Sequence, residues 1–444
     1  MPFPRSIFLL LVLLVSIVTA VPAPIRSFQR NVERRSFKVD RVRNDRFLKH
    51  NGTKALIKAY RKWAIPLPDE LANAVGQNED LNIDGSNHHH DANLLTNSSA
   101  ISVGKASASN INDNAKDSGT VTATPQTGDT EYLAPVTIGG QTLNMDFDTG
   151  SSDLWVFSTE LNTAEQSGHT VYDPKRSTKF ALIPGANFSI SYGDGSDATG
   201  IVGTDTVNIG GATVTGQAVE LATSVSDSFI SNAQSNGLVG LAFSKLNTVR
   251  PTRQKTFFDN ALSTLTEPLF TADLRAGAAG AYEFGAIDTT KFNGSLTWAD
   301  IDASSGFWQF SSEKFSVNGV EMTAAGGQAI ADTGTTLMLV HPVVVNAYYS
   351  QVFGAVNSAA DGGVTFPCDS DLPDLSVDIG GTYMAVIPGS VINFAPVDDA
   401  GITCFGGLQS AGTSSFQIYG DIMFKAQFVV FNGGNNSIAM APHA

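Results

Sequence analysis

Asp148 and Asp332 each begin an Asp-Thr-Gly tripeptide, and these two tripeptides carry the chemistry that the sequence predicts. A carboxylate can take a proton from water, and a neutral carboxylic acid can donate one. Two carboxyl groups held a few ångström apart cannot both ionise, so they share a proton and titrate as a unit. Such a pair can hydrolyse a bond by activating a water, with no metal and no cofactor.

Strands must position both aspartates. Leu143, Met145 and Phe147 are apolar and alternate with polar residues, which predicts a strand with one face in a core. The second tripeptide follows a short apolar run, residues 329–331. Each tripeptide then leads into another apolar run, so each aspartate is predicted to lie at a tight turn between two buried strands.

The pattern around the aspartates occurs twice. A short apolar pair followed by glycine ends at Gly240, 92 residues after Asp148. A similar pair ends at Gly420, 88 residues after Asp332. We infer an internal duplication that forms two similar lobes with one carboxylate each.

From about Thr124 to its C-terminus, the chain resembles the pepsin-like aspartic endopeptidases. It is most similar to secreted fungal members such as penicillopepsin and aspergillopepsin. The two tripeptides, the two apolar pairs with glycine and the run Tyr-Gly-Asp-Gly at residues 192–195 carry this resemblance. It implies a mostly β, bilobal fold with the cleft between the lobes and a flap hairpin over it. It also implies a monomer that cleaves proteins and peptides and binds pepstatin-like inhibitors.

The resemblance assigns roles to individual residues. Thr149 and Thr333 are expected to tie the two turns together, and the Trp155 indole N–H is expected to meet the hydroxyl of the flap tyrosine. Asp148 and Asp332 are the expected catalytic residues. The expected substrate-binding residues are Gly150, Ser151, Tyr192, Gly193, Asp194, Gly334, Thr335 and Thr336.

Physical reasons accompany several of these roles. Gly150 and Gly334 allow backbone to approach the carboxyl groups without a Cβ clash. Ser151 and Thr335 carry hydroxyls suited to orienting the aspartates. Asp194 carries the most specific prediction about substrates. In fungal members an acidic residue at this position accompanies acceptance of Lys just before the cleaved bond, and such members can activate trypsinogen. Large hydrophobic residues are expected on both sides of that bond.

The charge of the 444-residue chain is unevenly divided. Residues 21–116 hold 15 Lys and Arg against 10 Asp and Glu, whereas residues 117–444 hold 11 against 32. A basic segment before an acidic body predicts electrostatic docking of the first on the second. So acidic a body excludes nucleic acid as a partner.

The N-terminal region reads as targeting and regulatory sequence. Residues 1–20 have the basic, apolar and small-residue parts of a signal peptide, which predicts a secreted, extracellular protein that does not span a membrane. Residues 21–116 are predicted to be a propeptide. Its front part, residues 30–63, is basic and predicted to be helical, as in the run at residues 55–63, and Pro66 and Pro68 end that run. A polar linker follows at residues 73–113. It contains His88, His89 and His90, which favour a flexible linker over a metal site.

In this family a propeptide lysine reaches the catalytic carboxylates, and the hypothesis here is that Lys58 or Lys62 does so. Alignment with the family puts the mature N-terminus near the Lys116–Asp117 bond. The two lobes are predicted at residues 117–290 and 291–444, with short helices at residues 256–262 and 341–348.

Two further features concern covalent modification. Cys368 and Cys404 are the only cysteines, and in a secreted chain they favour a disulfide over two free thiols. The resemblance places a bridge at the same position. N-glycosylation sequons stand at Asn51, Asn97, Asn187, Asn293 and Asn435.

Two other function classes are alternatives to an endopeptidase. One is an inactive pepsin-like protein that binds peptides or inhibitors. The other is a glycosidase that uses a carboxylate pair. The intact aspartates, the glycines and Tyr192 argue against the first. The paired turns and the flap sequence argue against the second.

Overall fold

The computed structural model describes residues 37–40, 51–68, 71–72, 75, 120–121, 131–192, 196–324, 327–397 and 400–444. The predicted signal peptide, most of the polar linker with its three histidines, Asn97 and the flap residues Gly193 and Asp194 lie outside these residues. No helix in the described part of the chain is long and apolar enough to cross a membrane.

Strands dominate the structure, which confirms the mostly β prediction. In chain order they are β1 (Phe37–Asp40), β2 (Thr120–Val121), β3 (Leu133–Ile138), β4 (Gln141–Asp148), β5 (Leu154–Val156), β6 (Ala181–Ser191), β7 (Asp197–Ile209), β8 (Ala212–Val225), β9 (Gly237–Gly240), β10 (Leu269–Asp273), β11 (Ala281–Phe284), β12 (Thr297–Asp300), β13 (Gln309–Ser311), β14 (Lys314–Val317), β15 (Val320–Thr323), β16 (Gln328–Ala331), β17 (Met338–Val340), β18 (Val356–Ser358), β19 (Gly363–Pro367), β20 (Leu375–Ile379), β21 (Tyr383–Ile387), β22 (Asn393–Pro396), β23 (Thr403–Gly406), β24 (Leu408–Ser410), β25 (Gln417–Tyr419), β26 (Gln427–Asn432) and β27 (Ser437–Pro442).

The helices are short. They are α1 (Gly52–Lys62), α2 (Asp227–Ser231), α3 (Phe257–Ala261), α4 (Pro342–Tyr349), α5 (Gly389–Ile392) and α6 (Asp421–Phe424). Thr256 caps α3 by accepting from the Asp259 amide, and His341 caps α4, so both helices predicted in the body are confirmed. Single turns of 3₁₀ helix occur at Pro174–Arg176, Ser244–Leu246 and Ala303–Ser305.

Three sheets frame the site. The Asp148 sheet has the order β3-β4-β9-β5-β8-β7-β6, and the Asp332 sheet has the order β13-β16-β25-β17-β24. A shared sheet, β12-β27-β26-β10-β11-β1-β2, combines strands that precede and follow both aspartates in sequence. Two four-stranded sheets, β15-β14-β20-β21 and β18-β19-β23-β22, complete the second half.

The alternation predicted in β4 is present. Leu143, Met145 and Phe147 are buried in the main hydrophobic core. Asp146 is also buried, at 7% exposure, although it lies on the polar face of the strand. Burial, followed by the nearby charge of Glu131, raises the pKa of Asp146 well above its usual range. Both faces of β4 are therefore covered at its C-terminal end.

The helix predicted at residues 55–63 is present as α1, and α1 is bound through an apolar face. Leu56, Ile57 and Tyr60 are buried against strands and loops of the second half, including Leu337 and Phe405. The helix begins after Asn51, whose side-chain oxygen accepts from the Lys54 amide. A Cβ at Gly52 would overlap the Phe405 ring, so only glycine lets the helix approach this closely.

Cys368 and Cys404 form a disulfide, which confirms that prediction. Cys404 lies on β23, and Cys368 directly follows β19, the neighbouring strand. The described sequon asparagines, Asn51, Asn187, Asn293 and Asn435, have exposed side chains, with Asn187 inside β6. Glycan attachment at them stays a prediction.

Candidate active site

The two Asp-Thr-Gly turns have the same backbone scaffold. β9 pairs in parallel with β4, bringing Gly240 opposite Asp148, and pairs antiparallel with β5. In the second half, β25 lies between β16 and β17 in the same way. A Cβ at Gly240 or Gly420 would clash with backbone atoms of the adjacent turn. The apolar pairs with glycine are therefore the central strands that support the turns.

The threonines lock the turns together, as expected. The Thr149 amide donates to Oγ1 of Thr333 (3.1 Å), and the Thr333 amide donates to Oγ1 of Thr149 (2.9 Å). Each hydroxyl also donates across to a carbonyl preceding the opposite aspartate, Thr149 to Ala331 (2.9 Å) and Thr333 to Phe147 (2.6 Å). This reciprocal set fixes the positions of the two aspartates relative to each other.

The carboxyl groups of Asp148 and Asp332 lie together at the centre of the site, at 1% and 0% exposure. The Gly150 amide donates to Oδ1 of Asp148 (2.8 Å), and the Gly334 amide donates to Oδ1 of Asp332 (3.0 Å). A Cβ at Gly150 would lie 2.5 Å from Oδ1 of Asp332, so the predicted reason for glycine holds.

The two following hydroxyls are not equivalent. Thr335 Oγ1 donates a short hydrogen bond to Oδ2 of Asp332. The Ser151 hydroxyl helps to lower the pKa of Asp148, but its geometry falls outside that of a regular hydrogen bond. Thr336 is buried one residue beyond Thr335. The site is thus symmetric in its backbone and asymmetric in its hydroxyl contacts.

The pKa values of the pair are shifted in opposite directions. Burial raises the pKa of Asp332 to about 6, against the opposing effect of the Lys62 ammonium. Burial also acts to raise the pKa of Asp148, but Lys62 and hydrogen bonds outweigh it and lower the value to about 2. One carboxyl group therefore keeps its proton more readily than the other.

Lys62 lies at the last position of α1 and contacts both aspartates. Its Nζ is 3.0 Å from Oδ1 of Asp148 and 2.9 Å from Oδ2 of Asp332, and its side chain is 7% exposed. Burial lowers the pKa of Lys62, but the two carboxylates outweigh it, so the net shift is upward. Of the two lysines in the hypothesis, the structure brings Lys62 to the pair; Lys58 is one turn earlier on α1 and acts on Asp146.

Trp63 fills a space next to the pair, which the sequence did not indicate. Its indole N–H donates to Oγ1 of Thr335 (3.1 Å). Its ring packs edge-on against Phe307 and Phe416, with centroids 5.1 and 5.6 Å away. The sequence shows a tryptophan directly after the helix, but its aromatic partners, Phe307 and Phe416, come from two distant segments of the chain.

Tyr192 makes the contact that the resemblance predicts for it. The Trp155 indole N–H donates to the Tyr192 hydroxyl (2.9 Å), as expected. Burial, and then the charge of Asp148, raises the pKa of Tyr192 well above its usual range, so the hydroxyl stays neutral. Phe229 on α2 packs edge-on against Trp155 (4.9 Å) and Tyr192 (5.7 Å), a contact that sequence reasoning missed.

A second buried acidic pair lies behind the first turn and was not predicted. Asp153 Oδ1 accepts from the Thr248 amide (3.0 Å) and hydroxyl (2.7 Å), and Glu220 Oε1 accepts from Nδ2 of Asn247 (3.0 Å). The two acids also interact directly, and burial raises the pKa of both. Asp153 lies five residues after Asp148, and Glu220 lies inside β8. No sequence pattern indicates that these two acids are in contact.

Paired buried aspartates on duplicated turns, inside a mostly β fold, define a protein of the aspartic-hydrolase class. Comparison with known proteins agrees. Residues 131–443 match the family model described as eukaryotic aspartyl protease. The chain therefore belongs to the eukaryotic aspartyl protease family, and the predictions of this family and of an aspartic-type endopeptidase are confirmed.

Fungal relatives match most of the chain. It is 52% identical to penicillopepsin-1 of Penicillium rubens over 327 residues, which are 74% of this chain and 82% of the relative. It is 50% identical to aspergillopepsin-1 of Aspergillus oryzae over 326 residues, 73% of this chain and 80% of the relative. It is 46% identical to endothiapepsin of Cryphonectria parasitica over 401 residues, 90% of this chain and 87% of the relative.

Proposed function

We propose that this protein is a secreted acid endopeptidase that hydrolyses peptide bonds with a water activated between Asp148 and Asp332. The observation that carries the proposal is that the buried carboxyl groups of Asp148 and Asp332 both lie within 3.0 Å of a single atom, Nζ of Lys62. Such a pair shares one proton at acid pH, which is the state that general acid–base hydrolysis requires.

In this mechanism the ionised carboxylate takes a proton from the bound water as the water attacks the scissile carbonyl. The protonated partner hydrogen-bonds to the carbonyl oxygen and stabilises the tetrahedral diol. A proton then passes to the leaving nitrogen, and the peptide bond breaks. Because the pair titrates as a unit, neither aspartate has a fixed role as acid or base.

The substrates of this activity are protein segments with large hydrophobic residues on both sides of the cleaved bond. The packing of Trp63 between Phe307 and Phe416 supports this specificity, because a large aromatic ring fits next to the pair. Asp194 adds acceptance of Lys before the cleaved bond, since its carboxylate can pair with the ammonium. Asp194→Ala should lose Lys substrates and keep aromatic ones; equal loss of both would contradict this role.

The protein is made as a latent precursor, and residues 21–116 are its propeptide. The contact of Lys62 with both aspartates supports latency, because the ammonium neutralises the pair and occupies the position of the attacking water. As the pH falls through about 6, Asp332 gains a proton and Lys62 loses one of its charged partners. Acid therefore releases the propeptide.

The experiment that tests the proposal is acid incubation of the purified full chain beside Asp148→Asn, followed by N-terminal sequencing and digestion of denatured protein. We expect the wild type to shorten to a new terminus near Asp117 and to digest protein, while the variant stays whole. A wild type that stays whole and digests nothing, with or without a pepstatin-like inhibitor, would instead indicate an inactive binding protein.

A further inference from the structure

His169 lies outside the carboxylate site, yet it contacts the segment that supports the flap tyrosine. The flap-support segment, residues 226–236, contains α2 and Phe229. The His169 ring stacks on Phe157, with centroids 3.7 Å apart and an interplanar angle of 10°. Its two ring nitrogens face the flap-support segment, Nδ1 towards the Ser235 carbonyl oxygen (2.9 Å) and Nε2 towards the Ile230 carbonyl oxygen (3.1 Å).

Both partners of the His169 ring are acceptors only. A neutral imidazole has one N–H donor, so it can satisfy one carbonyl and must point a lone pair at the other. An imidazolium has two N–H donors and satisfies both. Ile230 lies in the last turn of α2, where carbonyl groups have no partner within the helix. The number of bonds between His169 and the flap-support segment therefore changes from one to two on protonation.

The flap-support segment connects this change to the proposed active site. Phe229 packs edge-on against both Trp155 and Tyr192, the two residues joined by the indole–hydroxyl bond. Trp155 and Phe157 are two residues apart in the chain. Phe229 packs on Trp155, and His169 stacks on Phe157, so both contact the same short stretch. A looser flap-support segment would let Phe229 withdraw and leave Tyr192 less confined.

We propose that His169 is a pH-sensitive positioning residue: its protonated ring clamps residues 226–236 through two carbonyl groups and thereby holds Phe229 against Tyr192 in acid. The proposal rests on the proposed endopeptidase function for its kinetic consequence only.

The groups around the segment are consistent with this assignment. Burial lowers the pKa of His169, and the bonds to the two carbonyl groups act to raise it, so the ring titrates on the acid side of its ordinary range. Glu131 accepts from Nδ2 of Asn232 (2.6 Å), Asp227 lies on α2, and Glu165 lies in the turn before His169. These carboxylates and Tyr192 are not among the causes of the His169 shift, within the described part of the chain.

The kinetic test compares acid-processed wild type with His169→Phe, which keeps the ring stack and removes both donors. We expect kcat/KM of the variant to be about three- to tenfold lower near pH 4, mainly through a higher KM, as for loss of one or two hydrogen bonds. The difference should become smaller towards pH 7, where the neutral wild-type ring keeps only one of its two bonds. His169→Asn, which keeps a donor towards Ser235, should be intermediate and show less pH dependence.

His341→Gln is the matched control, because His341 is an exposed histidine at the start of α4, away from the flap-support segment. Its ratio to wild type should stay near one at every pH. A ratio for His169→Phe that is constant from about pH 4 to about pH 7, or equal to that of the control, would overturn the proposal.

A second measurement does not depend on activity. Hydrogen exchange of residues 226–236 is followed in the full-length Asp148→Asn chain, with and without His169→Phe, at about pH 4 and pH 7. We expect His169 to slow exchange more at the lower pH, after correction for the intrinsic rate. Equal protection at both pH values would refute the clamp even if the protein digests substrate. Lack of digestion with the expected protection would refute the proposed function alone.

Discussion

The two Asp-Thr-Gly turns share a backbone but differ in what lies behind them. Residues of the second turn follow those of the first by 184 positions, and the bonds between the threonines are reciprocal. Asp153 of the first turn therefore corresponds to Leu337 of the second. Asp153 is buried in a polar network with Glu220, whereas Leu337 is buried against the apolar face of α1.

The difference shows which parts of the duplicated unit are constrained by chemistry. The carboxyl group, the following amide and the threonine hydroxyl must occupy fixed positions, and local hydrogen bonds hold them there. The residues packed behind the turns, such as Asp153 and Leu337, need only to fill the space there. In the first half it is polar and titratable, and in the second it is apolar and serves as the seat of the basic segment.

The largest effect is expected at the centre, where the two halves should behave alike. Asp148→Asn and Asp332→Asn each remove one of the two carboxyl groups that share a proton. Each should therefore lower kcat/KM by about 10³- to 10⁴-fold. Digestion of a fluorogenic peptide after removal of the propeptide in trans measures this. A single aspartate that tolerates the change would break the symmetry between the turns.

The next effect tests the seat of α1. Lys62→Ala removes the ammonium from between two buried carboxyl groups, which should weaken docking of the segment by about 3 kcal/mol. The precursor should then process itself at neutral pH, as measured by the rate at which the shortened chain appears. Lys54→Ala is the control, because Lys54 is exposed on the same helix. Equal latency of the two variants would contradict a specific role for Lys62.

A smaller effect separates the layers behind the turns. Because burial raises the folded-state pKa of Glu220, its stabilising contribution is complete below its unfolded pKa and is lost as pH rises through the folded value. This loss lowers the free energy of unfolding by about 1.4 kcal/mol per pH unit between the unfolded-state and folded-state pKa values of Glu220. Glu220→Gln should abolish it. Urea unfolding at pH 4 and pH 7 measures it, with exposed Glu160→Gln as control. Parallel pH dependence in both variants would refute the assignment.

The smallest effect again concerns symmetry. Thr149→Val and Thr333→Val keep the side-chain shape and each remove a donor and an acceptor, so each should lower the free energy of unfolding by about 1–2 kcal/mol. Exposed Thr163→Val should change it little. Chemical denaturation provides the comparison. If one substitution lowers the free energy of unfolding much more than the other, the reciprocal hydrogen bonds are not equivalent in energy.

The sequence by itself determined the elements that depend on local pattern and on duplication. Alternation of apolar residues identified β4, the glycines marked the turns and the central strands, and basic charge followed by proline marked α1 and its end. The two aspartates followed from the paired motifs, whereas the threonine ties and the Trp155–Tyr192 bond followed from the resemblance to a known family. The strands, turns and aspartates could be predicted because each is encoded within a few residues or repeated.

Only the tertiary structure decided contacts between segments with no common pattern. The choice of Lys62 over Lys58 depends on which face of α1 is buried, because the residues are four positions apart on one helix. The cradle of Trp63, the Asp153–Glu220 pair and the two carbonyl partners of His169 each join distant stretches of chain. Sequence shows that such side chains exist, but packing sets the distances that decide their partners and their protonation.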